Sequence, residues 1–268
     1  MLRKILYIVF TAVFSVSLIL FLATVIELYR ENKAFSGLRE LTVVERRAAA
    51  DTDGPAKPEK QDAAASATEL KEQRDQAARE HIRLLQEQNP DCVGWIRIPD
   101  TKLDYPVMRS AEDSEYYLHR NFNGSYSFSG TPFLGENCSV KDNSVLIYGH
   151  NMNNGSMFAS LLNYREEDYF REHPYLYFDT EEGEGVYEIF AAFRETVHAV
   201  EDEISFKYYE FGKELTPSEY EKYISEAIRY SEIDTGIRPM YGDQLLTLST
   251  CFHFSAGGRF VVVARKAE

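Results

Sequence analysis

At 268 residues, 44% of them hydrophobic and 13% aromatic, the chain can build one sizeable domain with appendages or two small domains. A net charge of −14 argues against duplex nucleic acid as a partner. Three cysteines, Cys92, Cys138 and Cys251, cannot pair completely within one chain, which excludes a disulfide scaffold.

The segment from Ile5 to Ile26 contains no charged residue. At about 1.5 Å per helical residue it can cross a hydrocarbon core of about 30 Å, and it exceeds the h-region of about 7–15 residues found in cleaved signal peptides. It reads as an uncleaved signal anchor. Arg3 and Lys4 ahead of it favour a cytoplasmic N-terminus, while Arg30, Lys33 and Arg39 weigh the other way. The expected organisation is a cytoplasmic stretch 1–4, a single transmembrane segment 5–26, an extracellular stalk 27–68 and a folded domain 69–268. A domain facing the cytoplasm is the alternative.

Residues 27–50 are mixed and charged, and Asp51 to Thr68 is rich in Pro, Ala and charge without apolar periodicity, the composition of a flexible spacer. Glu69 to Gln88 carries Leu70, Ala77, Ala78, Ile82 and Leu85 near one helical face, and Asn89-Pro90 ends that helix. Strands are expected at Val93–Ile98, Leu103–Met108, Ser144–Tyr148, Tyr175–Asp179 and Val186–Phe193, with a helical turn at Ser114–His119 and a short helix at Met157–Tyr164. Asn121–Gly130 and Asn151–Ser156 read as loops, and Glu182-Gly-Glu-Gly185 as a hairpin turn. Thr216-Pro-Ser-Glu219 has the pattern of a helix start, with Thr at the N-cap, Pro first and Glu third, opening a helix to about Tyr230. Two apolar runs, Gln244–Ser249 and Arg259–Ala264, close the chain. Seven or eight strands with few helices fit a mainly β, closed or nearly closed barrel.

Three groups stand out chemically. Cys251 ends one of the last two strands and Arg259 begins the other, so paired strands would set a thiol beside a permanent cation, a nucleophile beside an oxyanion stabiliser. For a strand cysteine alone, burial is the commoner outcome, and Cys92 and Cys138 read as small buried hydrophobes. Of six histidines, His150 ends the strand Val145-Leu-Ile-Tyr-Gly at a loop mouth, where catalytic groups tend to sit. His253, two residues from Cys251, is the other candidate base; His119 and His173 lack such context. No His, Cys, Asp or Glu spacing matches a metal site.

Thr247-Leu-Ser-Thr-Cys251 with Arg259 resembles the TLxTC…R signature of sortases, the membrane-anchored cysteine transpeptidases of Gram-positive bacteria, and Ile147-Tyr-Gly-His150-Asn-Met is similar to the sortase strand that ends in the catalytic histidine. Trp95-Ile-Arg-Ile-Pro99, Asp104-Tyr-Pro-Val107, Tyr117-Leu118 with Asn121-Phe122, Gly155-Ser-Met-Phe158 and Asp234-Thr-Gly236 resemble class B members, over about residues 70–266. Ser114, where class B members often carry Asn, and Thr131-Pro-Phe-Leu-Gly135 depart from the class pattern. The resemblance implies a sortase-like barrel with an N-terminal helical extension and a helix before the penultimate strand. It implies Cys251 as nucleophile, His150 as proton carrier and Arg259 as oxyanion donor or substrate holder. Ser249, Tyr148, Leu118 and Thr250 would bind substrate, with no metal or organic cofactor. The implied partners are secreted proteins bearing a C-terminal sorting motif, cleaved after Thr, and a peptidoglycan stem or cross-bridge amine. The membrane would be met through residues 5–26, placing the catalytic domain outside the cell. The alternatives are a pilus-polymerising enzyme that uses a pilin Lys, a hydrolytic protease, and a non-enzymatic surface module.

Overall fold

The computed structural model of the chain describes residues 2–50, 60–196, 206–251 and 257–267. Helix α1 (Leu2–Ala50) is continuous, and its stretch Val9–Ile26 is long and apolar enough to cross a membrane, with its large side chains exposed. Residues 1–41 and 42–268 are separate compact units. Of the expected spacer, residues 51–59 lie outside the described residues, residues 27–50 belong to α1, and residues 60–68 belong to α2 (Lys60–Gln88). The helix therefore starts nine residues before Glu69. Ala63, Ala64 and Ala65 lower the cost of helix there whatever the lack of an apolar stripe.

On α2 the buried positions are Ala78, His81, Ile82 and Leu85, an i, i+3, i+4, i+7 stripe. His81 meets Trp95 edge-on, with ring centroids 5.1 Å apart. Leu70 is 42% exposed, so it is not part of the packed face. Nearer the barrel, Asp75 accepts from the Glu184 backbone N–H at 3.0 Å.

The strands are β1 (Cys92–Arg97), β2 (Asp104–Met108), β3 (Phe133–Leu134), β4 (Ser144–Tyr148), β5 (Tyr175–Asp179), β6 (Val186–Thr196), β7 (Leu245–Cys251) and β8 (Gly258–Lys266). Among the described residues they form a closed barrel in the order β1-β2-β3-β4-β7-β8-β6-β5. Closure leaves no exposed edge in the sheet. β3 was not legible as a strand, because two residues carry no periodicity; it fills the gap between β2 and β4. Helix α3 (Glu167–Glu172) was likewise unmarked, and the helical segment expected at Met157–Tyr164 is a 3-10 stretch, Ala159–Arg165.

β4 and β7 pair in parallel and are buried on both faces, which explains their near-continuous apolar runs. One face lines the barrel interior. The other lies under the long link from β6 to β7, which contains α4 (Pro217–Tyr230) and the 3-10 turn Tyr208–Phe211. α4 buries Tyr220, Tyr223, Ile224 and Ala227, a single helical stripe.

The start of α4 is a full capping box: Glu219 N–H donates to the Thr216 hydroxyl while Thr216 N–H donates to Glu219 Oε2 at 2.9 Å. Those bonds from Thr216, with Lys213 assisting, hold the Glu219 carboxyl down at about 2. Thr216→Ala is expected to cost about 1 kcal/mol of stability, read as a lowered denaturant midpoint. The depressed carboxyl means that the advantage of wild type over Glu219→Gln is present above the ordinary carboxylate range and shrinks as pH falls toward 2; paired melts across acid pH check it.

Candidate active site

Alternation along β7 puts Thr247, Ser249 and Cys251 on one face. The ladder register extends this face sideways into rows. Leu146, Thr247, Val263 and Ala191 form one row, and Tyr148, Ser249, Val261 and Phe193 the next. In the third, Cys251 faces Arg259 across β7 and β8, and Arg259 faces Glu195 across β8 and β6. His150, two residues beyond the end of β4, enters this row from the other side: one backbone bond, Gly149 N–H to Ser249 O at 3.1 Å, carries the alignment past the strand end.

The first two rows are roofed. The Thr247 hydroxyl bonds the Tyr223 hydroxyl at 2.5 Å, the Ser249 hydroxyl bonds the Tyr208 hydroxyl at 2.7 Å, and a Cβ on Gly212 would come within 2.6 Å of Leu146. Phe206 packs against Phe193 with the rings tilted and their centroids 5.5 Å apart. At the third row Cys251 and Arg259 are half-buried and border a cleft of about 490 Å3. Leu118, Tyr148, His150, Ser249, Thr250, Cys251 and Arg259 all border it.

Each side chain is held by local structure. His150 Nε2 lies 2.8 Å from the Leu118 carbonyl oxygen. A carbonyl can only accept, so Nε2 donates. Leu118 belongs to the 3-10 turn Tyr116–His119, which is backed by Gly130. A Cβ on Gly130 would sit 2.3 Å from the Leu118 oxygen, and its φ of +59° also requires glycine. His119 stacks on His150 at 5.4 Å between centroids. Gly149 has no room for a side chain, since its Cβ would meet the buried Phe158 ring at 2.7 Å.

The four residues expected to bind substrate divide in two. Leu118 and Tyr148 are half-buried and face the cleft. The hydroxyls of Ser249 and Thr250 are buried and bonded, the latter to the Gly149 carbonyl at 2.7 Å. Burial pushes the phenols of Tyr148 and Tyr208 up, Tyr208 to about 12, and the positive charge of Arg259 opposes the rise at both. His253 and His198 lie outside the described residues. His173 packs on Tyr169, away from the third row. Sequence reasoning passed over Asn151, whose side-chain amide donates to the Cys251 carbonyl at 3.0 Å. It also passed over Tyr208 and Tyr209, which line the cleft from the β6–β7 link. A lone Asn in a polar loop and two Tyr in a Tyr-rich chain carry no spacing signal.

The cysteines separate by environment. Cys92 and Cys138 are unpaired and buried, and burial pushes their thiols up to about 12 and about 11, whereas Cys251 is half-buried at the cleft. Iodoacetamide at neutral pH is therefore expected to label Cys251 in the folded chain and to reach Cys92 and Cys138 only after denaturation. Peptide mapping by mass spectrometry checks this, and early labelling of Cys92 or Cys138 would contradict it.

This geometry has close relatives. A sortase-domain family model matches residues 96–267. A sortase B from Listeria monocytogenes is 34% identical over 175 residues, covering 65% of this chain and 68% of that protein. The crystal structure of Clostridium perfringens sortase B matches with a TM-score of 0.62 at 34% identity, over 69% of this chain and 99% of that one. A Staphylococcus aureus sortase B–substrate complex shares the fold with a TM-score of 0.69 at 22% identity, over 91% of this chain and 99% of that one. With the family model covering well over half of its length, the chain belongs to the sortase family, among the class B cysteine transpeptidases.

Proposed function

We propose that Cys251, His150 and Arg259 carry the transpeptidation, acting on the sorting segment of a secreted protein laid in the cleft. The observation that supports this most is their arrival in one row, on three different chain segments, at the same cleft. In the reaction proposed, the Cys251 thiol passes its proton to His150 and the sulfur attacks the carbonyl carbon of a Thr in the sorting motif. The C–N bond of the tetrahedral adduct breaks, His150 supplies the proton to the departing amine, and a thioester remains. An incoming amine, losing its proton to His150, attacks the thioester; the C–S bond breaks and the thiolate is restored. Arg259 donates to the oxyanion at both tetrahedral stages. Of the other bordering groups, Leu118 and Tyr148 would shape the motif groove, and Ser249 and Thr250 would act from beneath by holding the floor.

The accepting amine in this reading belongs to the peptidoglycan stem or cross-bridge. The segment 5–26 within α1 would anchor the enzyme by a single pass with its catalytic domain outside the cell, where both substrates meet the same surface and the effective concentration rises. That a Staphylococcus aureus sortase B has been captured with a substrate supports a peptide in the corresponding cleft.

Incubating the full-length chain in detergent with a library of sorting-motif peptides, and trapping adducts by mass spectrometry, tests the assignment. A thioester on Cys251 is expected in wild type and none in Cys251→Ala. His150→Ala should slow acylation by about 10²–10⁴-fold, and Arg259→Met should lower turnover by about 10²–10³-fold. Acylation of Cys251→Ala at the wild-type rate would sink the reading. Wall-derived amine set against a pilin-type Lys peptide in the second step decides the acceptor, and undiminished turnover with no amine added would mark a hydrolase.

A further inference from the structure

Beyond Tyr148 and Ser249 the backbone ladder between β4 and β7 ends, yet the two chains stay joined. Gly149 N–H still reaches Ser249 O, and from there side chains take over: the Thr250 hydroxyl donates to Gly149 O at 2.7 Å, and the Asn151 amide donates to Cys251 O at 3.0 Å. The second of these bonds runs from the residue after His150 to the carbonyl of Cys251 itself. The His150 segment is also fixed from its other side. Phe158 N–H donates to His150 O at 2.8 Å, Asn151 bridges to Met157, and the Phe158 ring leaves Gly149 no room to shift.

We propose that Asn151 is a positioning residue for the transpeptidation, holding the Cys251 backbone at a set separation from the imidazole of His150. This inference rests on the roles given above to His150 and Cys251. The chemistry suits the task. The Asn151 amide reaches Cys251 O at 3.0 Å beyond the point where the paired register of β4 and β7 ends. A short neutral amide supplies the donor without adding charge beside the thiol. A carboxylate at position 151 would set an acceptor against an acceptor, and an alanine would supply nothing.

The test uses the full-length chain in detergent, a fluorogenic sorting-motif peptide acylated by wild type, and the variants Asn151→Asp, Asn151→Ala and Asn151→Gln. Asn151→Asp matches the native side chain in shape, so it decides the matter if Asn151→Ala fails to fold. Thermal melts report the folded fraction, to which rates are normalised. The expected result is a fall of about tenfold to a hundredfold in kcat for thioester formation in Asn151→Asp, with KM within about twofold of wild type. Asn151→Gln, which keeps the donor on a longer arm, should recover part of the rate. A purely structural role would instead lower the melting temperature and leave normalised kcat unchanged. Wild-type kcat in Asn151→Asp, with Cys251→Ala and His150→Ala silent, overturns the role of Asn151 alone. Failure of wild type to acylate any peptide overturns the underlying assignment and this inference with it.

Discussion

The parallel pairing of β4 with β7 is the constraint on which the rest of the molecule depends. Parallel neighbours cannot be joined by a tight turn; they need a crossover. Here the crossover carries β5, β6 and α4, and with them two of the eight barrel strands and the roof over β7. The pairing also sets parity. Side chains alternate strictly along a strand, so a register slip of one residue would send Thr247, Ser249 and Cys251 to the opposite face. Two buried hydroxyl pairs, Thr247 with Tyr223 and Ser249 with Tyr208, oppose such a slip, because it would strand polar groups in an apolar interior.

The roof and the row through Cys251 belong to one arrangement. Among the described residues, the β6–β7 link covers the rows through Thr247 and Ser249 with aromatic rings, and its Tyr208 and Tyr209 line the cleft that Cys251 borders. Cys251 is half-buried at the cleft, in surroundings where charge is less screened than in open water. Cys92 and Cys138 show the contrast. They have the same functional group, but burial raises the cost of the thiolate until it is out of range at neutral pH.

Support for the row comes from elements with no chemistry of their own. Gly130 lets the chain close on Leu118, the Leu118 carbonyl holds the His150 ring, and Gly149 lets Phe158 pack beneath the strand end. Glycine at these places is demanded by contact distance and, at Gly130, by a positive φ. Sequence inspection marks such glycines only as loop residues, since what they approach comes from elsewhere in the chain.

Much was legible in the residues alone. The uncharged run from Ile5 to Ile26, the capping box at Thr216, and the apolar strands around Val145, Ile189, Leu246 and Val262 are local patterns, and local physics suffices to read them. The stripe on α2 was legible only in part: the period was clear, but Leu70 stays exposed and His81 takes a buried place, because among the described side chains the packed face runs from Ala78 to Leu85. β3 was not legible, since two residues have no period and become a strand only when β2 and β4 come within bonding distance. The sequence by itself determined the residue types of the site and the strand ends on which Cys251, His150 and Arg259 sit. The tertiary structure alone decided that His150 and Asn151 lie beside Cys251 and that Tyr208 roofs Ser249. The physical reason is separation: Asn151 and Cys251 are 100 residues apart, and periodicity says which face a side chain takes without saying which strand comes to lie against it.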